Sequence, residues 1–194
     1  MFVYFKELHM SQDRTRKLVM TGVMGAIAIL LGVTHWGFIP WFGGVSLTIM
    51  HVPVIIGAVL EGPGVGLGIG LIFGIFSMIQ AAVAPNSPAD TWFTNPLLAV
   101  LPRLFIGPMA YLAWKALQRF PVVGLIAAGI VGSLTNTILV LGAIGLMGLL
   151  PWVVLGGIVV SNGLLEAGAS ASITLIVVAA WRQIQIGKKQ GADL

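Results

Sequence analysis

The chain has 194 residues, of which 58% are hydrophobic and only 8% charged, and its mean hydropathy is +1.02. A soluble domain carries about 25% charged residues, so a chain this apolar cannot cover its own surface in water and is expected to sit in a bilayer. The net charge of +4 would suit a nucleic-acid partner, but the basic residues flank apolar runs instead of forming a patch, and the absence of cysteine removes disulfides, thiol catalysis, a lipoprotein anchor and Cys-based metal sites.

In chain order, residues 1–17 are polar and basic, with Lys6, Arg14, Arg16 and Lys17. A first span is expected over 18–36. The small residues inside it lie mid-run and a second apolar run follows closely, so it reads as a retained helix instead of a cleaved signal peptide. A loop over 37–45 carries Pro40, Gly43 and Gly44. The second span, 46–60, holds Pro53 and is too short for an upright crossing, which takes about 20 apolar residues. Glu61-Gly62-Pro63-Gly64 marks a tight turn. The third span covers 65–84, a polar loop 85–95, the fourth span 96–117, a turn 118–121, the fifth span 122–149 and the sixth 152–181, with Pro151 breaking the chain between the last two. Residues 182–194 form a polar, basic tail. The expectation is therefore an all-α membrane protein: one bundle of six transmembrane helices over 18–181, flanked by two short polar ends.

The charges orient it. Nine of the ten Lys and Arg residues lie before span one, between spans four and five (Lys115, Arg119), or after span six (Arg182, Lys188, Lys189). With six crossings all nine fall on one side, which the positive-inside rule makes the cytoplasm, and both termini lie there. The junctions 37–45, 85–95 and 150–151 contain no Lys or Arg and face outward.

Ionisable residues at membrane depth are costly and are functional candidates by default. Arg103 is the tenth basic residue, roughly 10 Å below the outer end of the fourth span at 1.5 Å per residue. Its planar guanidinium suits a carboxylate or phosphate. Glu166 lies roughly 20 Å below the outer start of the sixth span, with Asn162 one turn above it on the same face. Two arrangements remain open: an internal Arg103–Glu166 pair, or a ligand-facing role for at least one of them. Asn136, between Thr135 and Thr137, sits mid-span in the fifth helix, and Gln80 lies near the outer end of the third; either could serve a ligand or simply bond a neighbouring helix. His35 and His51 fall near the outer interface, where a structural role competes with ligation, and two histidines without carboxylates make a weak metal site. Trp36, Trp41, Trp92 and Trp152 all fall at the outer boundary, as an interfacial belt or as a stacking surface for a ligand.

Small residues four apart occur twice in the first span, Gly22/Ala26 and Ala28/Gly32, and suit close approach of another helix, from this chain or from a different membrane protein. The glycines of the third span (Gly62, Gly64, Gly66, Gly68, Gly70, Gly74) suit close packing inside the bundle. No phosphate-cradling Gly-x-x-x-x-Gly-Lys loop occurs, so the chain is not expected to hydrolyse ATP in that way. Gly168-Ala169-Ser170-Ala171 lacks the supporting glycine and a late-helix histidine that an intramembrane serine nucleophile would need.

Three stretches together resemble the substrate-binding S components of energy-coupling factor (ECF) vitamin transporters: residues 46–66 (SLTIMHVPVIIGAVLEGPGVG), Asn95-Pro96 followed by Leu101-Pro102-Arg103-Leu104, and Ser161-Asn162 with Glu166. The likeness covers about residues 14 to 185 and rests on the order and spacing of these stretches. It implies a subunit that captures a vitamin from outside, while a membrane T component and two cytoplasmic ATPases supply energy. It implies docking on the T component through the small residues of the first helix, here Gly22/Ala26 or Ala28/Gly32. The pocket it implies maps onto Asn95, Arg103, Asn136, Asn162 and Glu166, with Trp92 and His51 beside it. The 51–57 run resembles pantothenate-type members most, with riboflavin second. Two other classes are weighed against this one. A stand-alone secondary transporter of a small anionic metabolite would need broken helices in two inverted halves, which are not evident. A membrane enzyme would need a nucleophile–base pair, and only Arg103 with Glu166 is available. The expectation is of a multi-pass plasma-membrane protein that is not itself an enzyme, with no cofactor, metal or nucleic-acid partner.

Overall fold

A computed structural model describes residues 2–34, 36–40, 46–85 and 88–183. His35, Trp41, Gly43, Gly44, Lys188 and Lys189, all named above, lie outside them. The chain begins as one long helix, α1 (Phe2–Val33). At about 1.5 Å per residue it spans about 48 Å, more than a bilayer core, and its apolar part is Gln12–Val33. Residues 2–17 are therefore a helical continuation of the first span and not a separate extended segment.

Strands β1 (Phe38–Pro40) and β2 (Ser46–Thr48) follow as an antiparallel pair in the register Phe38↔Thr48, Ile39↔Leu47, Pro40↔Ser46. A small hairpin thus frames the Gly-rich loop within an otherwise helical bundle. Three residues per strand are too few to register as periodicity. Backbone bonding continues past the strands, with the Ile49 N–H on the Gly37 carbonyl at 3.0 Å.

Helix α2 (Val52–Glu61) has ten residues, eight of them buried. A helix apolar on every side belongs in an interior, and α2 touches α1 and the later helices over 63–83, 101–116, 121–146 and 164–182. Pro53 suits its first turn, where an N–H would lack a partner. The turn into α3 (Pro63–Val83) uses Gly62 at φ +100°, a left-handed value that side chains disfavour. On α3 the glycines at 66, 70 and 74 make a seam against the next membrane helix. A Cβ at Gly66 would lie 2.8 Å from the Gly107 Cα, one at Gly74 2.8 Å from the Val100 Cα, and one at Gly70 would collide with the Arg103 carbonyl oxygen. These helices touch backbone to backbone, as small residues allow where lipid supplies no hydrophobic drive.

A 3₁₀ segment, Pro88–Thr94, leads to Asn95, whose Oδ1 accepts the Leu97 N–H at 3.0 Å and caps α4 (Pro96–Ala99). The fourth span, expected unbroken, divides at Val100 into α4 and α5 (Leu101–Ala116). Pro102 brings this about, because it has no N–H for the Leu98 carbonyl four residues earlier. Helix α6 (Pro121–Leu146) again starts on proline. The sixth span is also subdivided, into α7 (Trp152–Ile158), a wide π-type turn at Val159–Gly163, and α8 (Leu164–Arg182).

Among the described residues five helical stretches are long and apolar enough to cross a membrane, and α2 is a shorter apolar helix beside them. Large apolar side chains point outward along them, among them Leu30, Ile79, Leu112, Ile138, Val153 and Ile176, an outside suited to lipid and not to water.

Candidate functional site

Two apolar clusters are stacked along the bundle. The larger gathers Met50, the α2 side chains, Ile69, Phe73, Ile106, Trp114, Leu125 and Val178. The smaller gathers Leu98, Val140, Ile144 and Leu155, with Trp92 and Phe93 packed against it. Along the fourth, fifth and sixth spans the chain passes from one cluster to the other through polar residues: Arg103 between Leu98 and Ile106, Ser133, Asn136 and Thr137 between Ala128 and Val140, and Asn162, Glu166, Ser170 and Thr174 between Leu155 and Val178. With His51 these are all nine buried polar or charged side chains among the described residues. A buried polar layer between two apolar ones is stable only when its members find partners.

Arg103 holds its position through the break that Pro102 causes. Its Nη1 donates to the Leu98 carbonyl that Pro102 leaves without a helical partner. Its guanidinium lies 5.4 Å from the Phe73 ring centroid and 5.1 Å from that of Phe93, within cation–π range. Its Nε has no hydrogen-bond partner. Glu166 does not pair with it. Arg16 and Glu61 form an ion pair at 2.5 Å, and neither Arg103 nor Glu166 is in one with the other. Of the two arrangements open from the sequence, the internal pair is absent, and the buried cation has no carboxylate against it.

Glu166 is engaged elsewhere. Its Oε1 accepts the Thr48 N–H at 2.6 Å, and its Oε2 lies 3.4 Å from the Thr137 hydroxyl. One turn further along α8, the Ser170 hydroxyl shares a 2.7 Å hydrogen bond with His51 Nε2, while His51 Nδ1 has no partner. Asn136 Oδ1 and Asn162 Nδ2 are likewise buried without partners. Helices α6 and α8 approach closely here, because a Cβ at Gly129 would sit 2.5 Å from the Ala171 Cα. The π-type turn ends at Gly163, just where Asn162 joins the layer. Such wide turns recur at functional positions because they re-aim side chains that a regular helix would point elsewhere.

Arg103, Asn136, Asn162, Glu166 and His51 are all buried in this polar stretch, with Glu166 bonded to Thr48 and Thr137 and His51 to Ser170. The stretch leaves three other candidates outside. Asn95 caps α4, Trp92 packs on the outer apolar cluster, and Gln80 reaches toward the Gly32 carbonyl of α1 at 3.5 Å. Trp36 and Trp152 are exposed, as an interfacial belt requires. Ser133, Thr137, Ser170, Thr174 and the Thr48 amide are members that the sequence reading missed. The four-residue ladder Asn162, Glu166, Ser170, Thr174 was the available signal, since one helix face carries all four.

The small residues of α1 face in two directions. Gly22 and Ala26 are exposed, with open space around Gly22. Ala28 and Gly32 are buried, and a Cβ at Gly32 would lie 2.6 Å from Met50 Cε. At the other end of the bundle two arginines hold the end of α2. Arg16 pairs with Glu61, and Arg182 donates to the Val59 carbonyl at 2.8 Å while lying 5.0 Å over the Trp114 ring.

Fold and layer together define a multi-pass membrane protein with a band of buried polar side chains, among them a cation with no carboxylate bonded to it. The chain belongs to the substrate-specific components of ECF transporters, whose family profile matches residues 16–178. Two relatives match it. The pantothenic acid transporter PanT of Lactococcus lactis subsp. cremoris is 28% identical over 190 residues, covering 88% of this chain and 96% of the relative. The pantothenate transporter PanT of Leuconostoc mesenteroides subsp. mesenteroides is 33% identical over 138 residues, covering 66% of this chain and 68% of the relative. The family is one of transport components and not of enzymes.

Proposed function

We propose that this chain is the substrate-capture subunit of an ECF-type importer and that its ligand is pantothenate. The observation that carries the reading is Arg103, buried between two phenylalanines with an unpartnered Nε and no acid against it. A dry guanidinium calls for an anion, and a carboxylate fits its fork. The unpartnered Asn136 Oδ1, Asn162 Nδ2 and His51 Nδ1 offer the acceptors and donors that pantothenate's amide and hydroxyls need. The names of the two relatives point to the same ligand.

In this reading the chain crosses the membrane six times, α2 being the short sixth crossing, with residues 1–17 and 182–194 on the cytoplasmic side. It works with a membrane T component and two cytoplasmic ATPases, where ATP hydrolysis takes place. The exposed pair Gly22/Ala26 is the docking face of α1, since Ala28 and Gly32 are already occupied by this chain's own packing. The test is direct. Protein purified in detergent should carry, or take up with high affinity, pantothenate identifiable by mass spectrometry, and should import it in vesicles only together with the T component and ATPases. Uptake by this chain alone, or saturation by riboflavin and not pantothenate, would overturn it.

A further inference from the structure

Glu166 is a buried carboxylate with no cation against it, and both its oxygens are engaged by the protein. A carboxylate in that position is costly unless its hydrogen bonds repay desolvation. The shorter bond, at 2.6 Å, comes from the backbone N–H of Thr48, at the end of β2. Three residues on, His51 is tied to Ser170, one helical turn below Glu166. The segment between β2 and α2 therefore lies along α8, fastened at two successive turns. It is also continuous with the hairpin through the Ile49–Gly37 backbone bond. The third link, Thr137 to Glu166, joins the same point to α6.

We infer that Glu166 and Ser170 are positioning residues that fasten the Thr48–His51 segment onto α8 as one wall of the polar layer, and so set how long a ligand is held. They act through Thr48 and His51 and do not touch the ligand. The inference rests on the reading of the layer as the ligand site. A carboxylate suits the role because a charge-assisted bond to a backbone amide is about twice as strong as a neutral one. A ligand leaving beside this wall would require the Thr48–Glu166 bond to open. Removing that bond therefore accelerates release, while encounter is left to the unchanged remainder of the site.

The experiment compares wild type, Glu166→Gln, Glu166→Ala and Ser170→Ala in detergent, with pantothenate and its alcohol analogue panthenol as probes. Association and dissociation rates are followed by stopped-flow tryptophan fluorescence, and exchange of the Thr48 amide by hydrogen–deuterium exchange without ligand. The expected result is dissociation roughly tenfold faster or more in Glu166→Ala, a smaller effect in Ser170→Ala, and association within about twofold of wild type. The pantothenate/panthenol preference should be unchanged, and the Thr48 amide should exchange faster in both Glu166 variants. A changed preference would make Glu166 a ligand contact and overturn the inference. Unchanged dissociation, or unchanged Thr48 exchange, would overturn it as well. Glu166→Gln keeps the shape and an acceptor oxygen, so it keeps the test decisive should Glu166→Ala fail to fold. If wild type binds neither probe, the pantothenate reading fails, while Thr48 exchange still decides whether Glu166 fastens the segment.

Discussion

Replacing Arg103 by alanine separates the two tasks of its guanidinium. One is recognition: a buried carboxylate–guanidinium contact is charge-assisted, and losing it from a desolvated site costs about 3 kcal/mol. At 1.4 kcal/mol per tenfold, pantothenate affinity should fall more than roughly 100-fold. The other is structural. Pro102 leaves the Leu98 carbonyl without a helical partner and Arg103 supplies one, so the variant also exposes a buried acceptor, at about 1–3 kcal/mol of stability. The two are distinguished by using panthenol, which replaces the carboxylate with an alcohol. Wild type should prefer pantothenate strongly by isothermal titration, and Arg103→Ala should bind the two about equally. Arg103→Lys keeps the charge but loses the planar fork and much of the contact with Phe73 and Phe93, so its preference should be intermediate. If wild type fails to discriminate between acid and alcohol, or Arg103→Ala keeps the preference, the anion-site argument is wrong.

Three further outcomes are expected. Gly70→Ala would drive a methyl group into the Arg103 carbonyl; overpacking of this kind costs about 1–3 kcal/mol, read as lower thermal stability in detergent with weaker pantothenate binding, whereas Gly64→Ala, with open space around it, should leave binding unchanged. Gly22→Leu with Ala26→Leu should abolish import by the assembled transporter and leave ligand binding by the isolated subunit within about twofold, because both positions are exposed and a Cβ at Gly22 meets no described residue; equal loss of both activities would refute it as a docking face. In this cysteine-free chain, single cysteines at Trp36 and at Arg119 should label from opposite sides of the membrane with an impermeant maleimide, and labelling from the same side would refute six crossings.

Much of the architecture was legible before any coordinates. Lipid imposes one demand on every outward side chain, so apolar runs announce spans, and prolines and glycines announce their ends. Pro63 after Gly62, Pro121 and Pro151 all stand where helices begin or are capped. Of the third-span glycines, Gly66, Gly70 and Gly74 pack inside as their density implied, whereas Gly62 and Gly64 meet open space. Arg103 stood out because charge at membrane depth has few inexpensive explanations.

What the sequence could not decide depends on contacts between residues far apart in the chain. Gly22/Ala26 and Ala28/Gly32 have the same spacing, and only the packing of α3 and Met50 on one side of α1 distinguishes them. Arg103 and Glu166 are opposite charges within one bundle, and the sequence left open whether they pair or face a ligand. The hairpin instead brings a backbone amide, which has no sequence signature, to Glu166, and a proline-made gap in α4–α5 offers Arg103 a carbonyl. Local chemistry along the chain determined which residues are immersed in lipid and which are costly there. Three-dimensional packing decided which costly residue is satisfied by the protein and which is left with bonding capacity for something else.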